Sequence, residues 1–169
     1  MDGEIIVRPL GPDDSIPALT QLLHRAYAPL ATMGLRFLAT HQSDDITARR
    51  ISHGQCFVAL RDGVLVGTIL YKPSADEVGG PPWYSRARVA GIAQFGVEPA
   101  LQANGLGRRL IDMVEAQARR DGAAEISLDT AEPATHLVSW YTRLGYRFIE
   151  HWQWSYTNYR SVVLSKALN

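Results

Sequence analysis

Hydrophobic residues recur along this chain with two different periods, and segments of the two kinds alternate. Alternating or continuous apolar residues predict strands at 4–8, 56–60, 64–71, 88–97, 124–130, 146–156 and 159–168. Apolar residues spaced three and four apart predict helices at 13–27, 43–51, 106–121 and 133–144. This order of elements predicts a single domain, 1–169, of the α/β or α+β class with a mixed sheet.

The strongest patterns lie in the middle of the chain. The stretch 88–97 is apolar almost throughout, which indicates a central strand buried on both faces. The helix that follows carries Leu106 and Leu110 on one side. Glu115 and Arg119 are predicted to form an ion pair on its opposite, solvent-exposed side.

Composition and charge exclude several classes of protein. Of 169 residues, 46% are hydrophobic and 20% are charged, as in globular proteins and unlike disordered ones. Seventeen basic and seventeen acidic residues cancel, so neither nucleic acid nor an anionic membrane is an expected partner. The acidic N-terminus lacks the apolar segment of a signal peptide, and a cytoplasmic protein is expected.

Cysteine and histidine offer little to a metal or covalent mechanism. The single cysteine, Cys56, excludes an internal disulfide, and the five histidines are scattered without a metal-binding motif, so no metal is expected. Cys56 lies in the middle of a predicted strand, where a cysteine usually packs as a small hydrophobic residue. It is therefore not a candidate nucleophile.

The candidate for chemistry is the segment Gln102-Ala103-Asn104-Gly105-Leu106-Gly107-Arg108. It follows a buried strand and begins an amphipathic helix, whose first N–H groups lack partners within the helix and lie at the positive end of its dipole. Glycines there allow an anion to approach the backbone, and Arg108 and Arg109 add positive charge. The segment 102–108 is therefore predicted to bind an anion, most naturally a pyrophosphate.

Other glycine-loop classes fit this segment poorly. A dinucleotide-binding fingerprint would need a glycine where Leu110 stands, and the Gly-Lys-Ser/Thr of a Walker loop is absent. A loop whose glycines merely turn the chain remains the alternative when this segment is considered by itself.

Together with a second motif, the segment resembles the GCN5-related N-acetyltransferase (GNAT) superfamily. Gln102-Ala-Asn-Gly105-Leu-Gly107 is similar to its Gln/Arg-x-x-Gly-x-Gly/Ala signature, and Tyr141-Thr-Arg-Leu-Gly145-Tyr146 to its Tyr-x-x-x-Gly-Phe. The order of elements matches over nearly the whole chain. The resemblance implies a central mixed, mostly antiparallel sheet of six to seven strands, flanked by about four helices and splayed between strands four and five.

The resemblance also implies acetyl-CoA as co-substrate and assigns roles to individual residues. The pyrophosphate would lie on the N–H groups of 102–108, and pantetheine would pair with the backbone near Phe95 and Val97. The Val97 N–H would polarise the thioester carbonyl as the oxyanion donor. Tyr141 would act as the general acid that protonates the departing thiolate, after direct attack by the acceptor amine.

The general base is the point at which the chain departs from its relatives. The carboxylate that some relatives carry on strand four falls here at Gly91, and the amide of Gln94 on the same strand cannot accept a proton. Asp129, at the end of a strand beside the expected splay, is the tentative base. Glu98 and a chain of water molecules are the alternatives. Ala134 stands where relatives often carry an asparagine that contacts the cofactor.

The acceptor, a small-molecule or peptide amine, is expected between the first two helices and the last hairpin. Arg36, Phe37 and Trp154 are the tentative substrate residues, with Arg36 as a partner for a carboxylate. Alternation places Trp152, Trp154 and Tyr156 on one strand face, where they would instead pack in the core or join two copies as a homodimer. Few carboxylates lie in either region, so a polyamine is not expected.

The leading functional hypothesis is an N-acetyltransferase that moves an acetyl group from acetyl-CoA directly to a primary amine of a small molecule or peptide. The alternative is a GNAT-fold domain that binds acyl-CoA as a sensor without turnover, which the missing strand-four carboxylate favours and Tyr141 disfavours. A third hypothesis is an unrelated phosphate-binding α/β domain, for which the match at 141–146 would be chance.

Overall fold

The computed structural model describes residues 3–169. Within them, seven strands form one sheet and four α-helices flank it. The strands are β1 (Ile5–Pro9), β2 (Gln55–Arg61), β3 (Val64–Lys72), β4 (Val89–Val97), β5 (Glu125–Ala131), β6 (Arg147–Trp152) and β7 (Ser161–Ala167). The helices are α1 (Ile16–Thr32), α2 (Asp44–Ile51), α3 (Leu106–Arg120) and α4 (Thr135–Arg143). Single 3-10 turns cover Leu38–Thr40, Pro82–Ser85 and Pro99–Leu101.

The sheet has the strand order β1-β2-β3-β4-β5-β7-β6, and only the β4–β5 pair is parallel. That pair is short, because only 89–91 of β4 are matched to 125–127 of β5. Beyond them the two strands diverge, while β5 continues to pair with β7 as far as Ala131. The expected mixed, mostly antiparallel sheet with a splay between strands four and five is confirmed.

A β-bulge lies in β4 where it leaves β5. Thr68 of β3 faces Gly96 and Leu70 faces Ala93, so two residues of β4, Gln94 and Phe95, lie opposite one residue of β3. Gln94 has a positive φ of 44°, a conformation that non-glycine residues seldom adopt. A bulge bends its strand and increases the local twist, which turns the end of β4 away from β5.

Helices cover both faces of the sheet. On one face, α1 buries Leu22 against Val58 and Leu70. On the other face, Leu110 of α3 belongs to a larger core that also includes Ile69 of β3 and Tyr141 of α4. Because successive side chains of a strand point to opposite faces, the unbroken apolar runs of the central strands supply both layers.

The last hairpin is shorter than the pattern predicts. β6 ends at Trp152, which is paired with Ser161, so Trp154 and Tyr156 lie in the connecting loop and not on a strand face with Trp152. The prediction of a shared face is therefore wrong. The physical reason is the contact that Trp154 makes instead. Its indole N–H donates to the Asp129 carboxylate, and this position of the side chain is not compatible with a continued β6 strand.

Glu115 of α3 is also placed differently from the prediction. Its side chain is buried instead of facing solvent, and it accepts hydrogen bonds from the Tyr146 hydroxyl (3.0 Å) and the Lys166 ammonium (2.9 Å). The predicted ion pair with Arg119 is present, with 4.0 Å between the guanidinium nitrogen and the carboxylate oxygen, so only the predicted exposure of Glu115 is wrong. Glu115 thus joins α3 to the β6–β7 hairpin through charge-assisted bonds in a partly buried site.

Replacing Glu115 by Ala is expected to lower the free energy of unfolding by about 3 kcal/mol, because Lys166 and Tyr146 would lose their partner. At roughly 2–4 °C per kcal/mol for a chain of this size, the melting temperature would fall by about 6–12 °C. The control is Glu132→Ala, which removes an exposed pair with Arg160 and should leave the melting temperature near that of the wild type. Equal melting temperatures for the two variants would contradict this account.

Candidate active site

A cavity of about 410 Å³ opens where β4 and β5 diverge. One part is walled by residues of β4 and α4 beside the start of α3, with Phe95 and Trp140 stacked 6.1 Å apart between ring centroids. The other part surrounds Asp129, with Tyr84 and Trp154 bonded to its carboxylate. The splay in the sheet therefore creates one continuous space with an aromatic part and a charged part.

The glycine segment forms the start of α3 at the aromatic part. Gly105 is the N-cap residue and has a φ of 80°, the left-handed conformation that glycine adopts without steric cost. The N–H groups of 106–108 lie in the first turn and have no partner within the helix. Gly105 has no side chain that could cap them. Gly107 lines the cavity, and a Cβ there would lie 3.4 Å from both Phe95 and Trp140.

Side chains of the segment fall into distinct environments. Gln102 lines the cavity and donates from Nε2 to the Val97 carbonyl (3.1 Å), whereas Leu106 is buried in the core and offers only its backbone. Ala103 and Asn104 are exposed. Arg108 is exposed and pairs with Asp112 one turn along the helix. Arg109, also predicted to supply positive charge, instead donates to the Ile5 carbonyl on β1.

The backbone of β4 presents a donor to the gap. The Glu98 N–H donates to the Val66 carbonyl of β3 (2.8 Å), and N–H groups alternate in direction along an antiparallel strand. The Val97 N–H therefore points away from β3, toward the space that β5 has left. On the same stretch, the Phe95 carbonyl accepts from the Tyr27 hydroxyl (2.7 Å).

Tyr141 lies in the same space, on α4. Tyr141 lines the cavity, and its ring packs between those of Trp140 and Tyr146, at centroid distances of 5.1 and 5.8 Å. Among the residues that the structure describes, its hydroxyl has no hydrogen-bond partner. Burial raises the pKa of Tyr141 well above the usual value for tyrosine, so the hydroxyl keeps its proton at neutral pH.

Asp129 is the carboxylate in the charged part of the cavity. It accepts from the Tyr84 hydroxyl (2.5 Å) and from the Trp154 indole (2.8 Å). Burial nevertheless raises its pKa, because these two neutral donors only partly replace the water that the charged form would bind. A carboxylate that is costly to ionise accepts a proton readily, which is the property required of a general base.

Gly91, where the sequence analysis expects the strand-four carboxylate of some relatives, has little space for a side chain. A Cβ on Gly91 would lie 3.1 Å from the Cα and 3.2 Å from the Cβ of Ala75, whose N–H is bonded to β4 at the Val89 carbonyl. Glu98, the other predicted alternative, is held by the Arg25 guanidinium and is not among the residues that line the cavity.

The tentative substrate residues separate into two groups. Phe37 and Trp154 line the cavity, and Phe37 packs between Tyr27 and Tyr159 at centroid distances of 5.4 and 4.8 Å. Arg36 does not line it; its side chain is exposed, and its backbone N–H donates to the Asn158 side chain.

Several residues of the cavity were not predicted. They are Arg50 of α2, Lys72 at the end of β3, Glu77 and Tyr84 of the segment that follows β3, and Gln94 of the bulge. Lys72 pairs with Glu77 at 3.4 Å. The glycine and proline residues at 79–82 mark the segment as a loop, but no local pattern shows that the loop folds back over β4 and brings Tyr84 to Asp129.

Residues 3–169, which the structure describes, contain no group of three or more His, Cys, Asp or Glu side chains arranged to hold a metal ion. No helix in the same range is both long enough and apolar enough to cross a membrane.

Comparison with known proteins decides the family. Residues 16–146 match the family model described as the acetyltransferase (GNAT) family. The chain belongs to the GNAT family. It is 32% identical over 130 residues to S-(2-succino)cysteine N-acetyltransferase of Bacillus subtilis (strain 168), a match that covers 76% of each protein. The GNAT resemblance read from the two motifs is thus confirmed, and the hypothesis of an unrelated phosphate-binding domain is wrong.

Solved structures agree with the GNAT fold. The ribosomal-protein-S18-alanine N-acetyltransferase of Escherichia coli superimposes with a TM-score of 0.73 at 16% identity, over 98% of this chain and 95% of that one. A GNAT acetyltransferase of Elizabethkingia anophelis with acetyl-CoA bound gives 0.69 at 16% identity, over 97% and 98% of the two chains. This GNAT protein is accordingly an acetyl-CoA-dependent acetyltransferase.

Acetyl-CoA at 100 times its Kd is expected to stabilise this GNAT protein by about 2.7 kcal/mol. At roughly 2–4 °C per kcal/mol, the melting temperature would rise by about 5–10 °C in a thermal melt. ADP at the same concentration is the control, since it offers a pyrophosphate without the pantetheine arm. Equal shifts with the two ligands would contradict a role for the splay between β4 and β5.

Proposed function

We propose that the protein transfers the acetyl group of acetyl-CoA directly to a primary amine of a small molecule or peptide. The observation that carries this proposal is the convergence of three groups on one cavity: the Val97 N–H, the free Tyr141 hydroxyl and the Asp129 carboxylate. The Bacillus subtilis relative, named as an N-acetyltransferase of an amino-acid derivative, supports a small molecule as the acceptor.

Acetyl-CoA would occupy the aromatic part of the cavity. Its pyrophosphate would accept hydrogen bonds from the N–H groups of 102–108, and its pantetheine arm would run between β4 and β5 in place of the missing ladder. The Elizabethkingia anophelis structure, with acetyl-CoA bound in the same fold, supports this arrangement.

The transfer itself needs a hydrogen-bond donor to the thioester carbonyl, a base and an acid. The Val97 N–H would bind the thioester carbonyl oxygen and stabilise the oxyanion that forms when the amine nitrogen attacks the carbonyl carbon. Asp129 would accept the proton that the incoming ammonium must lose, and pass it to solvent. As the C–S bond breaks, the Tyr141 hydroxyl would protonate the thiolate, and the nitrogen proton of the adduct would restore that hydroxyl.

The sensor alternative makes a different demand on the same residues. A domain that only binds acyl-CoA needs the N–H groups of 102–108 but neither a proton donor at Tyr141 nor a carboxylate at Asp129. The presence of a protonated Tyr141 hydroxyl and the Asp129 carboxylate in the same cavity as Val97 favours the enzyme, because the sensor needs neither group.

Replacing Tyr141 by Phe is expected to lower kcat by about 10²–10⁴-fold while the Kd for acetyl-CoA stays unchanged, because only the proton donor is lost. Tyr159→Phe is the matched control: Tyr159 is also buried, lines the cavity and has no hydroxyl partner among the described residues. Thiol release and calorimetry measure the two constants. A Tyr141→Phe variant with the kcat of the wild type would refute the role of general acid.

Replacing Asp129 by Asn is expected to lower kcat/KM at neutral pH and to remove the acid limb of its pH profile. That limb arises because Asp129 must be ionised to act, and its raised pKa places the loss of activity above the usual range of aspartate. Since the raised pKa also means that the ionised carboxylate opposes folding, stability from this group is greatest at low pH and is lost as the pH rises. The Asn variant should therefore melt no lower than the wild type at neutral pH.

Glu98→Gln is the control for Asp129, because Glu98 is the other carboxylate proposed from the sequence and pairs with Arg25 outside the cavity. It should keep the pH profile of the wild type. If Asp129→Asn keeps that profile and Glu98→Gln changes it, the base has been assigned to the wrong residue.

A further inference from the structure

The charged part of the cavity contains a guanidinium without a carboxylate partner. Arg50 lies in the last turn of α2, is half-buried and lines the cavity. Among the residues that the structure describes, no carboxylate oxygen lies within 4.0 Å of its guanidinium nitrogens. Lys72, the other cation of this part, has such a partner in Glu77. Arg50 is therefore available to an anion. Arg143 also lines the cavity without a carboxylate partner, but it lies on α4 and is exposed, whereas Arg50 is half-buried.

Arg50 is held in place by buried neutral groups. One guanidinium nitrogen donates to Oε1 of Gln42 (2.9 Å), a residue with only 1% of its surface exposed. Nε2 of Gln42 in turn donates to Oγ1 of Thr47 (2.7 Å) and to Oε1 of Gln94 (2.6 Å) in the bulge of β4. The guanidinium is thus oriented before any ligand binds, which reduces the entropy lost on binding.

The same chain of bonds ends in a second unused donor. Gln94 is 4% exposed and lines the cavity, and its Nε2 has no hydrogen-bond partner among the described residues. A buried amide nitrogen without a partner costs free energy unless a ligand supplies an acceptor. Two donors from one network, Arg50 and Gln94, therefore point to a ligand with oxygen acceptors in this part of the cavity.

The charge of Arg50 influences the pKa of other residues of the cavity, among them Asp129 and Tyr156. Burial is the main influence on Asp129 and raises its pKa, while Arg50 acts in the opposite direction and lowers it. Arg50 also lowers the pKa of Tyr156, which burial raises. Arg50 and Asp129 also line the same cavity, so an anion bound at Arg50 would share that cavity with the proposed base.

We propose that Arg50, positioned by Gln42, binds a carboxylate of the acceptor, so that the acceptor is an amino acid or another amine that carries a carboxylate. The inference rests on the proposed N-acetyl transfer and narrows its substrate class. A guanidinium is charged at every accessible pH, and its fork of N–H donors matches the two oxygens of a carboxylate. Arg50 is a specificity residue in this proposal, and Gln42 is a positioning residue.

The experiment compares the wild type with Arg50→Ala and Arg50→Lys. Each enzyme is supplied with acetyl-CoA and a panel of L-amino acids that includes S-carboxymethyl-L-cysteine, the methyl esters of the same compounds, and the amines that lack the carboxylate. Thiol release gives kcat/KM for each, and every variant is compared with the wild type on the same compound, so differences in amine basicity cancel. Arg49→Ala is the matched control, because Arg49 is the exposed neighbour on α2 and lies outside the cavity.

The wild type is expected to favour the acids. Arg50→Ala should lower kcat/KM for the acids by roughly 10–100-fold, through KM, and leave the esters unchanged. Arg50→Lys should fall between them, since it keeps the charge and loses the fork. Arg49→Ala should behave as the wild type.

Two results would overturn the proposal. The first is a wild type that uses esters and carboxylate-free amines as well as it uses the acids. The second is an equal loss for acids and esters in Arg50→Ala, which would mean that Arg50 only supports Gln42 and α2. Failure of the proposed function would look different: the wild type would then release no thiol with any amine, although acetyl-CoA still raised its melting temperature.

Discussion

The divergence of β4 and β5 is the feature on which the rest of the active site depends. A central strand normally has both edges occupied by ladder hydrogen bonds, and an interior donor left without a partner is costly. Here the parallel ladder stops after Gly91, and the bulge at Gln94 bends β4 away. The strand therefore keeps the rigidity of a sheet on its β3 side while its β5 side offers an N–H at Val97. Rigidity and unsatisfied donors are combined at one place, as a preorganised oxyanion site requires.

Two buried carboxylates show how partners decide whether such a group supports the fold or serves chemistry. Glu115 faces an ammonium as well as a hydroxyl, so its charge is compensated in place. Asp129 faces only a hydroxyl and an indole, and its raised pKa reflects the poorer compensation. The first arrangement joins a helix to a hairpin. The second leaves a carboxylate that can take up a proton without breaking an ion pair, which suits the proposed role of base.

Local patterns predicted those parts of the site that are built from consecutive residues. The glycines at 105 and 107 lie at a helix start, and Tyr141 lies on the inner side of a short helix. The spacing of residues along the sequence predicted both positions. Asp129 was proposed from its place at a strand end. The partners that give it its properties come from other parts of the chain: Tyr84 from a loop and Trp154 from a segment that was predicted as strand. No period in the sequence encodes such contacts, because they depend on how loops cross the sheet.

The bulge and the guanidinium escaped prediction for related reasons. Gln94 is the one residue of the stretch 89–97 with a polar side chain, but a polar residue in an otherwise apolar strand does not by itself predict a bulge. Arg50 lies beside Arg49 in the last turn of a short polar helix, a pattern that is typical of an exposed helix end. Only the tertiary arrangement shows that one of two adjacent arginines turns inward to Gln42.

The contact between Gly91 and Ala75 has a consequence for the history of the site. A Cβ at 91 would lie closer to Ala75 than side chains normally do, so the 73–85 segment would have to shift to accept a side chain there. Homologues that carry a carboxylate on strand four are therefore expected to place this segment slightly differently. The two positions should therefore vary together among homologous sequences, and the residue at 91 should separate subgroups that differ in the origin of their base.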